Sequence, residues 1–165
     1  MTRFNSNRLM KGTLLALFLF GAAAGVHAVT SESRAYLHSY NLPAHGIAIE
    51  GYSPVSYFTE GKAIRGKPEH AIEYNGVTYQ LASAEEEQLF RANPDKYVPA
   101  YGGWCAFGMS IQDKFPIDPH NFKIIDGKLM LFLKNQNVDA LMLWNKGDEG
   151  QNVAKADAHW KKVSQ

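Results

Sequence analysis

The stretch "AIEYNGVTYQLASAEEEQLF", Ala71 to Phe90, encodes a hairpin followed directly by a helix. "AIEY" and "VTYQLA" are β-prone runs on either side of Asn75-Gly76. Asn-Gly between such runs is the strongest short hairpin signal, because both central residues of a type I′ turn need positive φ. Ser83 stands where an N-cap belongs, and Glu86 follows three residues later, the pattern of a capping box. Glutamates in the first turn complement the positive end of the helix dipole. Leu89 and Phe90 are expected to face inward. Pro94 ends the helix and opens a short turn at "PDKYV".

A second hairpin is equally legible downstream. "NFKII" and "KLMLFL" surround Asp126-Gly127, another type I′ pair. "NVDALMLWNKG" then reads as a helix with Val138, Leu141, Met142 and Trp144 on its apolar side and Gly147 as its stop. The tail "NVAKADAHWKKV" gives a last short helix with Val153, Ala156 and Trp160 on one side. Before the first hairpin, "GIAIEGYSPVSYFTEGKAIRGKPEH" mixes short apolar runs with Gly and Pro, so turns and short elements are expected there. No internal repeat is visible. These signals predict an α+β domain over residues 46–165, a small antiparallel sheet from two β-hairpins with short helices packed on it.

The chain begins differently. Arg3, Arg8 and Lys11 precede the uncharged "GTLLALFLFGAAAG", and Val26-His27-Ala28 supplies small residues at the end. Basic, apolar and small segments in that order read as a secretory signal peptide over residues 1–28, too short in its apolar part for a comfortable membrane span. Residues 29–45, "VTSESRAYLHSYNLPAH", read as a linker or an N-terminal arm, with Tyr36, Leu37, Tyr40 and Leu42 able to pack on the domain. The expected location is the periplasm or the outside of the cell, with no stable membrane anchor after leader cleavage. Three of the 17 Lys and Arg lie in the leader, so the remaining 14 face 16 Asp and Glu. That balance gives no reason to expect nucleic acid as a partner. A single cysteine in an exported chain makes no internal disulfide, so stability must come from the core, a ligand or association.

Taken together, "GYSPVSYF" (Gly51 to Phe58), "YNGVTYQLASAEEEQLF", "NPDKYVPAYGGWCAFGMS" (Asn93 to Ser110), "DGKLMLFL" (Asp126 to Leu133) and "NVAKADAHW" resemble the YHS domain family, in its exported single-domain branch. The resemblance implies metal association, since YHS relatives accompany copper and heavy-metal transport proteins. In those relatives cysteines on an early turn and at the hairpin–helix junction come together, and soft thiolates suit a soft ion. This chain departs from that pattern. Ser56 stands at the first cysteine position, and Ala82 and Glu86 stand at the later two.

The remaining soft donors lie in "YGGWCAFGMS", Tyr101 to Ser110. If this stretch enters a helix, Cys105 and Met109 share one face and would suit Cu(I), with a histidine from elsewhere as third ligand. His70 and His120 are the candidate donors, and His159 is another. Two other readings of Cys105 stand beside this one: a small buried hydrophobe, and a reactive thiol. Tyr52, Tyr57, Phe58, Tyr97, Tyr101, Trp104 and Phe107 form either a core or a ligand pocket. No GxSxG, HExxH, Walker or dinucleotide fingerprint occurs, and no catalytic residue is assigned. The functional expectation is an exported non-catalytic binding protein handling a soft metal such as copper. The alternatives are a small-ligand or protein-binding module with an inert buried cysteine and, third, a thiol-dependent enzyme.

Overall fold

A computed structural model describes Met1, residues 37–43 and residues 45–165. The expected signal peptide, apart from Met1, and the start of the expected arm lie outside the described residues. Both turn dipeptides adopt the predicted left-handed geometry, with φ of 52° at Asn75 and 77° at Gly76, and of 49° at Asp126 and 75° at Gly127. They join β1 (Ala71–Tyr74) to β2 (Val77–Gln80) and β3 (Asp118–Ile125) to β4 (Lys128–Phe132), both antiparallel. The architecture is α+β, as expected, but the hairpins form two separate two-stranded sheets rather than one.

Six α-helices accompany the hairpins among the described residues, with short 3-10 segments between them: α1 (Ser56–Thr59), α2 (Ala84–Ala92), α3 (Pro94–Tyr97), α4 (Ala106–Ser110), α5 (Ala140–Lys146) and α6 (Glu149–Val163). Ser83 caps α2 by accepting from the Glu86 N–H at 3.3 Å. The reciprocal arm of the expected capping box is redirected, because the Glu86 carboxylate accepts from the Ala82 N–H instead. Glu86 and Phe90 are the buried residues of α2, so of the expected apolar pair only Phe90 faces inward and Leu89 is exposed. Adjacent helical residues point about 100° apart, so one narrow buried stripe takes only one of them. On α5 the buried pair is Ala140 and Trp144, while Met142 faces solvent, as does Val138 ahead of the helix. Asp139 caps this helix from the residue before Ala140, which fixes the phase. α6 is longer than the tail suggested, starting at Glu149 with Asp148 as cap, and it turns Val153, Ala156 and Trp160 inward as predicted. Among the described residues no helix is long and apolar enough to cross a membrane.

The structure reveals an internal repeat that the sequence conceals. Ile47 makes a parallel bridge to Thr78, the second residue of β2, and Pro99 makes one to Leu129, the second residue of β4. The backbone then enters a left-handed turn in both places. Ile49 (φ 50°, ψ 34°) and Glu50 (φ 52°, ψ 26°) match Tyr101 (φ 55°, ψ 33°) and Gly102 (φ 59°, ψ 23°). Gly51 and Gly103 end the turns at φ of 83° and 82°. The Tyr52 N–H returns to the Ile49 carbonyl at 2.9 Å, and the Trp104 N–H to the Tyr101 carbonyl at 3.1 Å. Next, the Ser53 and Cys105 N–H groups donate to the Ile64 and Phe115 carbonyls at 2.8 and 3.1 Å. A short helix, a hairpin and a capped helix follow in each half. Between 47–58 and 99–110 the two segments share only Ala48/Ala100 and Gly51/Gly103, so the correspondence resides in backbone conformation.

β4 is the most enclosed strand, with Leu129, Met130, Leu131 and Phe132 all buried. Its second edge is occupied by parallel bridges from Pro99 to Leu129 and from Cys105 to Leu131. A strand covered on both faces reads as a continuous apolar run rather than an alternation, which accounts for "LMLF". The arm docks here as well. Asn41 donates from its backbone to the Gly102 carbonyl at 2.9 Å and from its side chain to the Gly103 carbonyl at 3.0 Å. Trp104 Nε1 donates to the Ser39 carbonyl at 2.6 Å, and Leu37, Tyr40 and Leu42 pack on the core.

The entry to β1 depends on a close backbone approach at Gly66. Its N–H donates to the Gly51 carbonyl at 2.8 Å, and a Cβ built there would stand 2.2 Å from the Gln80 carbonyl oxygen. A backbone neighbour cannot move aside as a side-chain end can. Gly66→Ala is expected to destabilise the protein by about 1–3 kcal/mol, measured by urea unfolding against the parent; an unchanged midpoint would refute the close approach.

Candidate functional site

The predicted ligand residues occupy three separate environments. Cys105 is the N-cap of α4, and its sulfur accepts from the Gly108 N–H at 3.5 Å. The residue has no solvent exposure, and neither has Met109, one turn further along. Burial pushes the Cys105 thiol up, and the opposing pull of the Leu133, Gly108 and Phe107 N–H groups does not cancel it. His70 pairs through Nδ1 with Glu87 at 2.6 Å. His120, exposed on β3, meets the Tyr52 hydroxyl at 3.2 Å and packs edge-on against its ring at 5.2 Å. Among the described residues no three of His, Cys, Asp and Glu stand close enough together to hold a metal ion. His159 lies on α6.

Of Ser56, Ala82 and Glu86, the last two meet directly, and Ser56 joins them only through Ser53. Glu86 Oε2 accepts from the Ser53 hydroxyl at 2.5 Å and from the Ala82 N–H at 2.7 Å. Ser56 donates to the Ser53 carbonyl at 2.9 Å and accepts from the Ile64 N–H at 3.2 Å. Ser53 and Ser56 are fully buried. This network locks the early turn onto the start of α2, and every buried side-chain N or O of the described residues has a partner.

Accessible concavities lie elsewhere, among them a hollow of about 430 Å³ over Leu37, His38, Tyr40 and Leu42. Two neighbouring hollows of about 180 and 300 Å³ share a wall made by Tyr40, Asp95, Val98 and Pro99. The smaller continues over Tyr74 and Tyr79, and the larger over Tyr101, Lys128, Asp157 and Trp160. Tyr74 donates to Asp95 Oδ1 at 2.8 Å and Tyr101 to Asp157 Oδ1 at 2.9 Å. Hydrogen bonding to Asp95 raises the Tyr74 pKa, and burial followed by the Asp157 bond raises that of Tyr101, so both phenols stay protonated donors. Tyr40 and Trp160 meet edge-on at 5.8 Å. Of the aromatics singled out from the sequence, Tyr101 reaches this groove. Tyr57 and Tyr97 are core residues, and Phe58, Trp104 and Phe107 pack against the core. The groove residues come from five distant stretches, and no linear spacing links them.

No family model, curated protein or solved structure matches this chain.

Two measurements test this geometry. The Glu86→Ala variant leaves the Ser53 hydroxyl and the Ala82 N–H without their acceptor and is expected to lose about 2–3 kcal/mol of stability; an equal loss in Leu89→Ala, which is exposed, would refute the assignment. For Cys105, a raised folded pKa means that the unfolded chain releases its proton first as pH rises. Its contribution is therefore complete below the thiol's ordinary value of 9.0 and falls away above it. The buried Tyr57 and Tyr101 hydroxyls, raised from 10.0, add a second fall at higher pH. Melting temperature against pH is expected to drop in alkali, with Cys105→Ala removing the earlier part of the drop. An identical profile in the variant would contradict a buried, protonated thiol.

Proposed function

We propose that this chain is an exported, non-catalytic binding module whose ligand occupies the groove between Tyr40, Asp95 and Trp160. The observation that carries this reading is the groove itself: two adjoining hollows walled by aromatic and aliphatic residues with a few oriented polar groups, the ordinary makeup of a small-molecule site. The reading places Cys105 among the packing residues, because a sulfur without solvent exposure and with a raised pKa is poor as both nucleophile and ligand. Export belongs to the proposal through the leader, and so does the YHS likeness, whose thiol positions are here given over to the Glu86 network.

A soft-metal role rests on one observation, the shared helical turn of Cys105 and Met109. Cu(I) would reach that sulfur only after the packing of α4 had opened. One experiment separates the two readings: amide spectra of the purified protein, recorded with a panel of small charged and uncharged organic molecules and, anaerobically, with Cu(I). Shifts centred on Asp95, Val98 to Gly102 and Asp157 are expected for the organic panel. Stoichiometric Cu(I) binding with shifts centred on Cys105, lost in Cys105→Ser, would overturn the proposal in favour of copper handling.

A further inference from the structure

The chemistry of the groove restricts what it holds. Its two carboxylates, Asp95 and Asp157, are exposed at the groove and face a single lysine, Lys128, among the lining residues described. Each carboxylate is oriented by a phenol, Tyr74 on Asp95 and Tyr101 on Asp157. A carboxylate has lone pairs beyond the one such a bond uses, so both keep the capacity to accept from a ligand. The rest of the wall mixes aromatic rings with the aliphatic residues Val77, Val98, Pro99 and Ala100. The edge-on pair of Tyr40 and Trp160 presents π surface beside Asp157, and Tyr74 does so beside Asp95, while Tyr79 is buried.

Resting on the reading of this groove as the ligand site, we infer that its ligand is a small organic ammonium ion, held by aromatic faces and by Asp95 and Asp157. Ring quadrupoles attract a cation most strongly when its charge is spread over alkyl groups that lose little hydration. A carboxylate beside the rings adds direct Coulomb attraction. A small anion would meet two negative charges and one positive. An uncharged apolar molecule would gain contact with the rings and nothing from the aspartates. The larger hollow, about 300 Å³, lies at the small end for ligand sites and the smaller, about 180 Å³, below it, so the groove suits a molecule of modest size. Tyr40 belongs to the docked arm, so binding also fastens that arm to the domain through the wall it completes.

The test compares choline with its uncharged isostere 3,3-dimethylbutan-1-ol and with succinate, each titrated into the purified protein and followed by amide spectra. Choline is expected to shift Asp95, Val98 to Gly102 and Asp157 and to bind about tenfold more tightly than the isostere. Asp157→Asn and Asp95→Asn are each expected to weaken choline severalfold and leave the isostere unchanged. Choline is also expected to slow hydrogen exchange at the Asn41 amide. Equal binding of choline and isostere, or tighter binding of succinate, would overturn the ammonium assignment while leaving the groove a ligand site. No groove shift with any of the three probes would count against the assignment and the site together.

Discussion

The fold depends on two left-handed backbone turns, at Ile49 to Gly51 and at Tyr101 to Gly103. Each reverses a segment that has just paired in parallel with a hairpin, and each delivers the chain to the start of a buried helix. Glycine takes the last position at no steric cost, but Ile49, Glu50 and Tyr101 carry side chains at positive φ. A residue held there costs on the order of 1–3 kcal/mol, and for a β-branched isoleucine the penalty is at the upper end. Complete burial of a large apolar side chain returns roughly 1.5–3 kcal/mol. Ile49 is 2% exposed and Tyr101 is 4% exposed, so burial balances the strain where it is greatest. Strained residues persist only where the surroundings over-determine them. Here the surroundings are the hairpin edge on one side and the return bonds of Tyr52 and Trp104 on the other.

The same constraint explains the contrast between Ser53 and Cys105, which occupy equivalent places after the two turns. Both are fully buried, and each leads into a short helix. In the first half Glu86 reaches the slot, so a hydroxyl that donates strongly is satisfied there. In the second half the sulfur is faced by backbone N–H groups. A serine would bring an O–H donor into that setting, whereas a thiol donates so weakly that an unmet S–H costs little. The choice between oxygen and sulfur therefore follows from whether a carboxylate is present, and the lone cysteine has a structural reason independent of any ion.

How much of this was readable follows from where each signal is stored. Hairpin turns and caps are local: Asn75-Gly76, Asp126-Gly127 and Ser83 each specify their geometry within a few residues, and each formed as read. Helical phase is less local. The apolar run around Val138 to Trp144 fits more than one buried stripe, and the cap at Asp139 selects the one through Ala140 and Trp144. Glu86 satisfied a capping motif by spacing, yet its carboxylate is claimed by a serine 33 residues upstream. The repeat was hidden because left-handed turns can be built from Ile-Glu-Gly and from Tyr-Gly-Gly alike. A shared backbone path leaves almost no shared residues to detect.

The groove was invisible for a related reason, and its position follows from the architecture. Tyr74 and Tyr79 come from the first hairpin, Val98 to Gly102 and Lys128 from the second half, Asp157 and Trp160 from α6, and Tyr40 from the arm. It therefore lies along the seam where the two halves meet. Two units of similar shape fitted against each other fill their own interiors first, and the join is closed by whatever lies outside the repeat. Here that is α6 and the arm, which have no counterparts in the first half. Gly102 marks how tightly they close it: a Cβ there would stand 2.7 Å from the Trp160 ring and 3.0 Å from Tyr40. The left-handed turn that builds the second half thus also lets these two rings meet over the seam, and a ligand held beneath them would touch both halves, the last helix and the arm at once.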